Sequence, residues 1–472
     1  MWERFSFYGM RVLLINFLTM AAIGYNPGWE WTAENAGALF GTYAMLLYIT
    51  PILGGIIADK LTGYNWAVVI GAAVMTAGHA CMALETEFSL YAGLALLVIG
   101  TGFFKPNITS IISEMYKDLP EKKDGAYTIF YMGVNAGAFF GMMLCGYLAE
   151  KIGWSWGFGL AGIFMFLGTL QFWLAKPLFG KIGDVPSKEY EVEIAQNITS
   201  VDEPERDEIA AALAKPNPFT MVDKILIVIC VILGLGYAIN DPLSKIGGID
   251  MFAALGTETL DGQIVGVLIA LVLFLILVTS RIARYTPVIR DRMIAFIIFA
   301  FFTVFFWMSF EQGATSLILF ARDFVDRSLS GGAAIAFNIV NTLLTVIPLG
   351  IITYVLFLLY KQTHKRIMTS NVVLAGTFII VWGIVGWMLV RDWSSTAYEA
   401  TYDAVRQEVV DAETNNPQLD ASGNPVYTYV PVTESYTPRP GDNIVPQTIR
   451  IAEPGSYSVG EKVNLLTKDK DN

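Results

Sequence analysis

Charged residues are scarce in this chain, and their scarcity excludes an ordinary soluble domain. Only 15% of the 472 residues are charged and 54% are hydrophobic, whereas a soluble domain carries about 25% charged residues. Apolar runs of about 20 residues, the length that crosses a bilayer, recur along the whole sequence. The composition therefore predicts an all-α polytopic membrane protein.

Cysteine and histidine are also rare, which leaves little material for a disulfide framework or a metal centre. The three cysteines fall singly in separate apolar segments, where we expect them to be small packing residues. Of the two histidines, His79 lies in an apolar run and is expected to pack there, whereas His364 is expected in a loop. The sequence offers no nucleophile–base pair or phosphate-binding loop, so we do not expect an enzyme.

The excess of negative charge is distributed unevenly. The formal net charge is −11, and acidic residues cluster in the segment 184–208 and in the C-terminal tail. A nucleic-acid-binding domain would instead concentrate basic residues on one face. Nucleic acid is therefore not an expected partner.

Eleven apolar runs predict eleven membrane-spanning helices. Alternate loops between them carry most of the basic residues. The positive-inside rule then places the N-terminus in the cytoplasm and the C-terminal tail outside. The predicted spans are 4–24, 36–57, 66–84, 88–113, 126–148, 155–176, 222–240, 263–281, 291–321, 333–360 and 370–390.

Three polar segments interrupt this membrane pattern, and one of them, 241–262, is expected to be a loop on the outer side. Residues 177–220 are charged and contain Pro186, Pro204, Pro216 and Pro218, so we expect a cytoplasmic linker there. Residues 392–472 form the outer tail. Within it, 426–430 and 448–451 alternate apolar and polar residues between Gly, Pro and Asn, which is typical of β-structure.

The first eleven residues place charges on a helix that runs directly into the membrane. Arg4, Tyr8 and Arg11 lie on one face of that helix. Two arginines on one face of a spanning helix are costly unless the face borders a water-filled cavity. Arg4 alone has a simpler explanation, since a position at the cytoplasmic end would satisfy the positive-inside bias.

Two further ionisable residues lie inside apolar runs. Lys105 is deep in the fourth span, beside Pro106, and needs a counter-charge, water or a substrate carboxylate. Glu311 lies in the middle of the ninth span and shares a helix face with Trp307 and Thr315. A desolvated Glu of this kind can carry a proton. The alternative is a structural Glu that is hydrogen-bonded to a neighbouring helix.

The fifth span combines small and polar residues. Gly133, Gly137 and Gly141 recur at a four-residue spacing, which permits close helix packing and does not indicate a ligand site. Tyr131 and Asn135 form a separate polar stripe. An Asn amide donates and accepts hydrogen bonds at once, which suits a peptide-like group.

Four motifs follow one another in a distinctive order. They are Glu3-Arg4-Phe5 with Tyr8-Gly9, Phe104-Lys105-Pro106-Asn107, Phe130-Tyr131 with Asn135, and Phe306-Trp307 with Glu311-Gln312. In this order and spacing the chain resembles the proton-dependent oligopeptide transporters (POT), a branch of the major facilitator superfamily. The run 54–63 resembles the cytoplasmic loop motif of that superfamily.

The resemblance implies the major facilitator fold of two helix bundles. It divides the chain into an N-terminal six-helix bundle (1–176), the cytoplasmic linker (177–220), an inserted helix pair (221–285), a partial C-terminal bundle of three helices (286–391) and the β-rich outer tail (392–472). Three further helices of the family's second bundle do not follow. We therefore expect the sequence to be a fragment.

The resemblance also assigns roles to individual residues. Proton coupling falls to Glu3, Arg4 and Glu311. Peptide binding falls to Tyr8, Arg11, Tyr48, Lys105, Asn135, Trp307 and Asn341. The cytoplasmic gate motif contributes Gly55, Asp59 and Lys60. Phe7 stands where the family usually has Tyr, and Thr342 replaces a Pro that often follows the eighth-helix Asn.

The function implied is proton-coupled symport of di- and tripeptides across the cytoplasmic (inner) membrane by alternating access. The expected partners are small peptides, protons and the lipid bilayer, with no cofactor beyond the coupling proton and with a monomer as the working unit. Two alternatives remain open. One is a symporter of another small organic anion or modified peptide, and the other is a non-transporting membrane anchor for the outer tail.

Overall fold

The structure is a computed structural model that describes residues 1–20, 22, 26–117, 119–185, 217–325, 331–394, 398–408, 427–436 and 448–450. Its helices are α1 (Trp2–Thr19), α2 (Ala33–Ile57), α3 (Gly63–Met82), α4 (Glu87–Met115), α5 (Pro120–Lys151), α6 (Trp154–Leu174), α7 (Met221–Lys245), α8 (Gly262–Ala283), α9 (Pro287–Glu311), α10 (Ser316–Asp323), α11 (Gly331–Thr363) and α12 (Met368–Ser394).

The multi-pass membrane prediction is confirmed. Nine helical stretches among the described residues are long and apolar enough to cross a membrane, and one of them, Ala33–Met82, joins α2 and α3. Helix α1 is not among the nine, and its 18 residues include Glu3, Arg4 and Arg11. Each predicted span falls on a helix, and the ninth falls on two, α9 and α10.

Local sequence determines where several helices begin. Thr86 caps α4, since its hydroxyl accepts from the backbone N–H of Ser89 at 3.2 Å, and the Ser89 hydroxyl accepts from the backbone N–H of Thr86 at 3.1 Å. Thr220 and Asp223 form the same reciprocal box at the start of α7, at 3.1 and 2.9 Å. Pro287 occupies the first turn of α9, where a missing N–H costs nothing.

The molecule divides into two compact units. The first comprises residues 1–16, 31–324 and 365–373, and the second comprises 17–30, 325–364 and 374–472. These units do not follow the boundaries expected from the resemblance. The five-part division of the chain stays a prediction.

Within the first unit, glycines let helices approach backbone to backbone. A Cβ at Gly54 of α2 would overlap the carbonyl group of Gly102 in α4. Gly137 and Gly141 of α5 lie against the backbone carbonyls of Met1 and Phe5, at the start of α1. The packing role expected for the fifth-span glycines holds for these two and fixes the first turns of α1 against α5.

The connection between α2 and α3 is helical and not an open loop. A π-helical turn, Ala58–Thr62, joins them, and Gly63 takes a positive φ of 70° at the start of α3. The first part of the predicted cytoplasmic linker contacts α3 and α4 through Gly183. The backbone N–H of Gly183 donates to Glu114 Oε2 at 2.8 Å, and the Gly183 carbonyl accepts from the backbone N–H of Asn65 at 3.1 Å. Residues 186–216 of that linker lie outside the described residues.

The predicted inserted pair forms two adjacent helices, α7 and α8. Asp223 at the start of α7 accepts from Arg284 at 2.6 Å and from Arg281 at 3.5 Å, which ties the two helices together. Helix α7 packs against α2. Lys245 Nζ lies 3.4 Å from a carboxylate oxygen of Glu34 at one end of that contact.

The second unit pairs α11 with α12 through tryptophan hydrogen bonds. Trp382 Nε1 donates to the Thr353 hydroxyl at 3.1 Å, and Trp393 Nε1 donates to the Thr342 hydroxyl at 3.0 Å. Thr342 is the residue that stands in place of the family Pro, so its hydroxyl gains a partner there.

The tail contains the strands β1 (Tyr398–Glu408), β2 (Tyr427–Tyr436) and β3 (Thr448–Arg450) in the order β2-β1-β3. Strand β1 runs antiparallel to β2 and parallel to β3. Much of the tail lies outside the described residues. The assignment of 392–472 as a β-rich outer domain stays a prediction.

Candidate functional site

A cavity of about 660 Å³ opens within the first unit, between α1, α2, α4, α5, α6 and α9. Its walls combine aromatic side chains with charged side chains that would be costly to expose to lipid. The structure brings together here most of the residues to which the sequence assigned transport. Those that line the cavity are Glu3, Arg4, Tyr8, Arg11, Tyr48, Lys105, Trp307 and Glu311.

Helix α1 contributes the first ion pair. Arg4 Nε donates to Glu3 Oε2 at 2.6 Å, and both side chains are largely buried, at 16% and 6% exposure. Adjacent residues on a helix point in different directions, so this pair forms only because the two long side chains bend toward one another. Arg4 therefore has a carboxylate partner, and the simpler explanation of a basic residue left at the membrane edge is not needed.

The second ion pair crosses from α1 to α9. Arg11 Nη2 donates to Glu311 Oε2, and the Arg11 side chain is only 6% exposed, against 27% for Glu311. A buried guanidinium is stable only when it is paired and hydrogen-bonded. A change in the charge of Glu311 would therefore act directly on Arg11.

Glu311 lies at the end of a helix and not in the middle of a continuous one, which corrects the expectation of a single ninth span. Helix α9 ends at Glu311, a short 3₁₀ turn covers Gln312–Ala314, and α10 begins at Ser316. Thr315 leaves helical geometry, with φ −131° and ψ −101°. The expected shared face is therefore kept by Trp307 and Glu311, both of which line the cavity, and Thr315 falls beyond the break.

Lys105 and Tyr48 form the remaining polar part of the wall. Lys105 Nζ lies 4.6 Å from the centre of the Tyr48 ring, within the range of a cation–π contact. The Tyr48 hydroxyl donates to Glu311 Oε1 at 3.5 Å, and its ring meets Trp307 edge-on at 6.2 Å. Tyr48 therefore links the cation on α4 to the carboxylate on α9.

The cavity charges do not balance. Its cationic side chains are Arg4, Arg11 and Lys105, and its carboxylate side chains are Glu3 and Glu311, which leaves one positive side-chain charge in excess. Both arginines have carboxylate partners. Among the residues that the structure describes, Lys105 makes no ion pair and rests on an aromatic ring instead. The excess is therefore located at Lys105.

Aromatic rings hold the guanidinium groups in place, which sequence patterns did not show. Phe7 lies between Arg4 and Arg11, with its ring centre 5.3 and 5.8 Å from the two Cζ atoms. The Phe40 ring lies 5.7 Å from Arg11 Cζ. The only available signal was the occurrence of Phe7 at a position where the family usually has Tyr.

Two residues assigned to peptide binding are placed differently. Asn135 is exposed on α5 and does not line the cavity, although Tyr131 on the same helix does. Asn341 belongs to α11, in the second unit, and is likewise not among the described lining residues. Their roles in binding stay predictions.

The gate motif lies at the π-helical turn. Asp59 and Lys60 are exposed within it. Gly55 has room for a side chain, since a Cβ there would meet Pro106 only at 4.0 Å, whereas Gly54 is in tight contact. The close helix approach that the motif permits therefore depends on Gly54.

The histidines occupy the environments expected for them. His79 is fully buried in α3, against Gly162, and His364 lies in the turn after α11. Neither lines the cavity. Among the described residues, no cluster of His, Cys, Asp and Glu has the geometry of a metal site.

Residues 65–400 match the profile of PTR2, the POT family. The chain belongs to the POT family. The match covers most of the described helices, including α4 with Lys105 and α9 with Glu311.

Curated POT relatives are similar over most of the chain. The peptide transporter YePEPT of Yersinia enterocolitica is 30% identical over 377 residues, which cover 79% of this chain and 68% of that protein. A di-/tripeptide transporter of Lactococcus lactis is 26% identical over 325 residues, which cover 68% of this chain and 59% of that protein. A crystal structure of a peptide transporter POT in complex with sulfate is 27% identical, covers 77% of this chain and 67% of that chain, and has a TM-score of 0.49.

Proposed function

We propose that this POT-family chain carries out proton-coupled symport of di- and tripeptides across the cytoplasmic (inner) membrane. The observation that carries the proposal is the cavity in which a carboxylate, Glu311, is paired with Arg11 while a second cation, Lys105, has no ion pair among the described residues. The names of two relatives, a peptide transporter and a di-/tripeptide transporter, point to the same substrate class.

The uncompensated charge suits the C-terminal carboxylate of a peptide. Lys105 provides a compact cation in the cavity wall, and Arg11 provides a planar fork that can bind a carboxylate through two hydrogen bonds. A bound carboxylate would compensate the charge of Lys105, which has no ion pair among the described residues. The aromatic walls would then accommodate peptide side chains of varied shape.

Coupling follows from competition for Arg11. While Glu311 is ionised, it occupies the guanidinium of Arg11. Protonation removes its charge and weakens the pair, which frees Arg11 to bind the substrate carboxylate. The break after Glu311 allows the ends of α9 and α10 to move separately when the pair opens. Glu3 and Arg4 provide a second carboxylate–guanidinium pair, which protonation of Glu3 would weaken in the same way.

Transport would proceed by alternating access of two helix bundles around this site. We assign the N-terminus to the cytoplasm and the tail to the opposite side, on the positive-inside rule. The lipid bilayer and the substrate are the partners, the proton is the coupling ion without a further cofactor, and the monomer is the working unit.

The test is uptake of a radiolabelled dipeptide by proteoliposomes that contain the intact protein. We expect an inward proton gradient to accelerate uptake, and Glu311→Gln to abolish the acceleration. Glu150→Gln is the matched control, because Glu150 is a carboxylate at the end of α5 that is 67% exposed and outside the cavity. Uptake in the wild type that ignores the gradient would contradict proton coupling.

A second candidate is a symporter of another small organic anion or of a modified peptide, since an anion of any kind would satisfy Lys105. A competition assay distinguishes a peptide symporter from a symporter of other organic anions. Unlabelled dipeptides should block uptake of the labelled dipeptide completely, whereas simple carboxylic acids should not. A membrane anchor for the tail, the third alternative, predicts no uptake at all and offers no use for the paired charges in the cavity.

A further inference from the structure

One tyrosine in the cavity wall belongs to neither of the two ion pairs that carry the proposed coupling. Tyr43, on α2, lines the cavity and is 3% exposed. Its hydroxyl has no hydrogen-bond partner among the described residues. A buried hydroxyl without a partner costs about 1–3 kcal/mol, so this arrangement requires an explanation.

The same part of the cavity contains two other unsatisfied polar atoms. Glu3 Oε1 and Arg11 Nε are buried and have no partner among the described residues, although the other ends of both side chains are engaged in ion pairs. The charged groups that act electrostatically on Tyr43 are Arg11, Glu3 and Arg4. Tyr43, Glu3 and Arg11 all line the cavity, so the three unsatisfied atoms border one enclosed space.

Phe40 helps to bring these groups together. Its ring meets the Tyr43 ring edge-on, with centres 6.4 Å apart, and lies 5.7 Å from Arg11 Cζ. Phe40 is one helical turn before Tyr43 on α2. Helix α2 thus presents both residues to the face of α1 that carries the charges.

The three atoms can all bind one water molecule, because together they use both of its lone pairs and one of its two O–H groups. Arg11 Nε–H and the Tyr43 O–H are donors, and Glu3 Oε1 is an acceptor. A water would accept from the two donors and donate to the carboxylate, which gives it about three hydrogen bonds, the usual number for a buried water. The second O–H of this water is left for another acceptor in the cavity.

We propose that Tyr43 is a positioning residue for proton coupling, whose hydroxyl holds a buried water together with Glu3 Oε1 and Arg11 Nε. The inference rests on the proposed symport function. The water joins the Glu3–Arg4 pair to the Arg11–Glu311 pair, the two ion pairs of the cavity. Protonation of Glu3 would reverse its hydrogen bond to the water and thereby change the hydrogen bonding of Arg11, the partner of Glu311.

The other charged group of the cavity does not fill this role. Lys105, on α4, rests on the Tyr48 ring and is not among the charged groups that act on Tyr43. Tyr48 itself is 51% exposed, and its hydroxyl already donates to Glu311. Tyr43 differs from Tyr48 in being buried and in having a hydroxyl that is free for a water.

The test uses Tyr43→Phe, which removes only the hydroxyl, in proteoliposomes assayed in two ways. Counterflow exchanges labelled for unlabelled dipeptide without a proton gradient and reports binding and conformational change. Gradient-driven accumulation reports coupling. We expect Tyr43→Phe to retain counterflow and to lose about ten-fold in accumulation, the effect of one hydrogen bond to a charged group. Tyr91→Phe, on α4 and outside the cavity, should change neither.

A double-mutant cycle distinguishes the water from general damage to packing. Because Tyr43 and Glu3 would share one water, the Glu3→Gln/Tyr43→Phe double variant should accumulate peptide no worse than Glu3→Gln alone. Equal loss of counterflow and accumulation in Tyr43→Phe would overturn the inference, and so would unchanged accumulation or additive effects in the cycle. Absence of peptide counterflow in the wild type would instead overturn the proposed function itself, and this inference with it.

Discussion

Two clusters of arginine and carboxylate lie in the first unit, and they differ in how completely their hydrogen bonds are satisfied. At the inserted helix pair, Asp223 accepts from Arg284, from Arg281 and from the backbone N–H of Thr220 at 2.9 Å. Arg281 in turn donates to the backbone carbonyl of Asn217 at 2.9 Å. This cluster is closed, because Asp223, Arg281 and Arg284 have no buried side-chain N or O atom without a hydrogen-bond partner.

The cavity cluster is open by comparison. Glu3 Oε1 and Arg11 Nε have no partner among the described residues, and Lys105 has no carboxylate. Similar residue types therefore serve different purposes. The closed cluster fastens α7 to α8, and we propose that the open one keeps binding capacity for a proton, a water and a substrate carboxylate.

The largest expected effect comes from Arg11→Lys, which keeps the positive charge of the open cluster and removes the planar guanidinium group. A lysine cannot bind a substrate carboxylate through two parallel hydrogen bonds. We expect peptide uptake to fall about 100-fold, the cost of breaking a buried charge pair. The measurement is the initial rate of dipeptide uptake in proteoliposomes. Uptake near the wild-type rate would show that the pair with Glu311 does not control transport.

Lys105→Gln should have the next largest effect, because it removes the cation that lacks an ion pair. We expect the apparent affinity for dipeptides to fall about ten-fold. The wild type should prefer a peptide with a free carboxylate over its C-terminal amide, and the variant should lose that preference. Lys105→Arg, which keeps the charge, is the matched control. A preference that survives in Lys105→Gln would place the carboxylate elsewhere.

Asp223→Asn tests the closed cluster, where we expect an effect on stability and none on transport. The substitution leaves Arg281 and Arg284 without their carboxylate, so the purified protein should unfold at a lower temperature. Uptake per folded molecule should remain unchanged. A loss of proton coupling at full stability would mean that the inserted pair takes part in the transport cycle.

Asn135→Ala should have the smallest effect. The side chain is exposed on α5 and lies outside the cavity lining, despite its match to a family motif. We expect the apparent affinity for dipeptides to change by less than about two-fold, as for a surface substitution. A loss comparable to that of Lys105→Gln would show that α5 turns Asn135 toward the substrate during the cycle.

Long apolar runs made the membrane character predictable from sequence, and the charges within those runs made most of the cavity predictable. Arg11, Lys105 and Glu311 stand out because each would be costly in lipid, and all three line one cavity. Their pairing was not predictable, since Arg11 and Glu311 are 300 positions apart. Helical periodicity reports which residues share a face, and it does not report which helix the face meets.

Other features depend on local conformation that periodicity cannot reveal. The apolar run around Glu311 continues without a Pro, so it predicted one helix where the structure has a break. Tyr43 occurs in a run of apolar residues and carries no motif, and its importance emerges only from the unsatisfied hydroxyl. Gly54, and not Gly55, proved to be the packing glycine because only the three-dimensional crossing with α4 distinguishes them.

The most direct test of the account is to measure proton movement while peptide enters. Proteoliposomes that contain the intact protein and a trapped pH-sensitive dye are given a dipeptide under an inside-negative potential. The account predicts acidification of the lumen with the wild type and none with Glu311→Gln. Peptide entry without acidification in the wild type, or acidification that persists in Glu311→Gln, would contradict the claim that the Arg11–Glu311 pair couples proton to peptide.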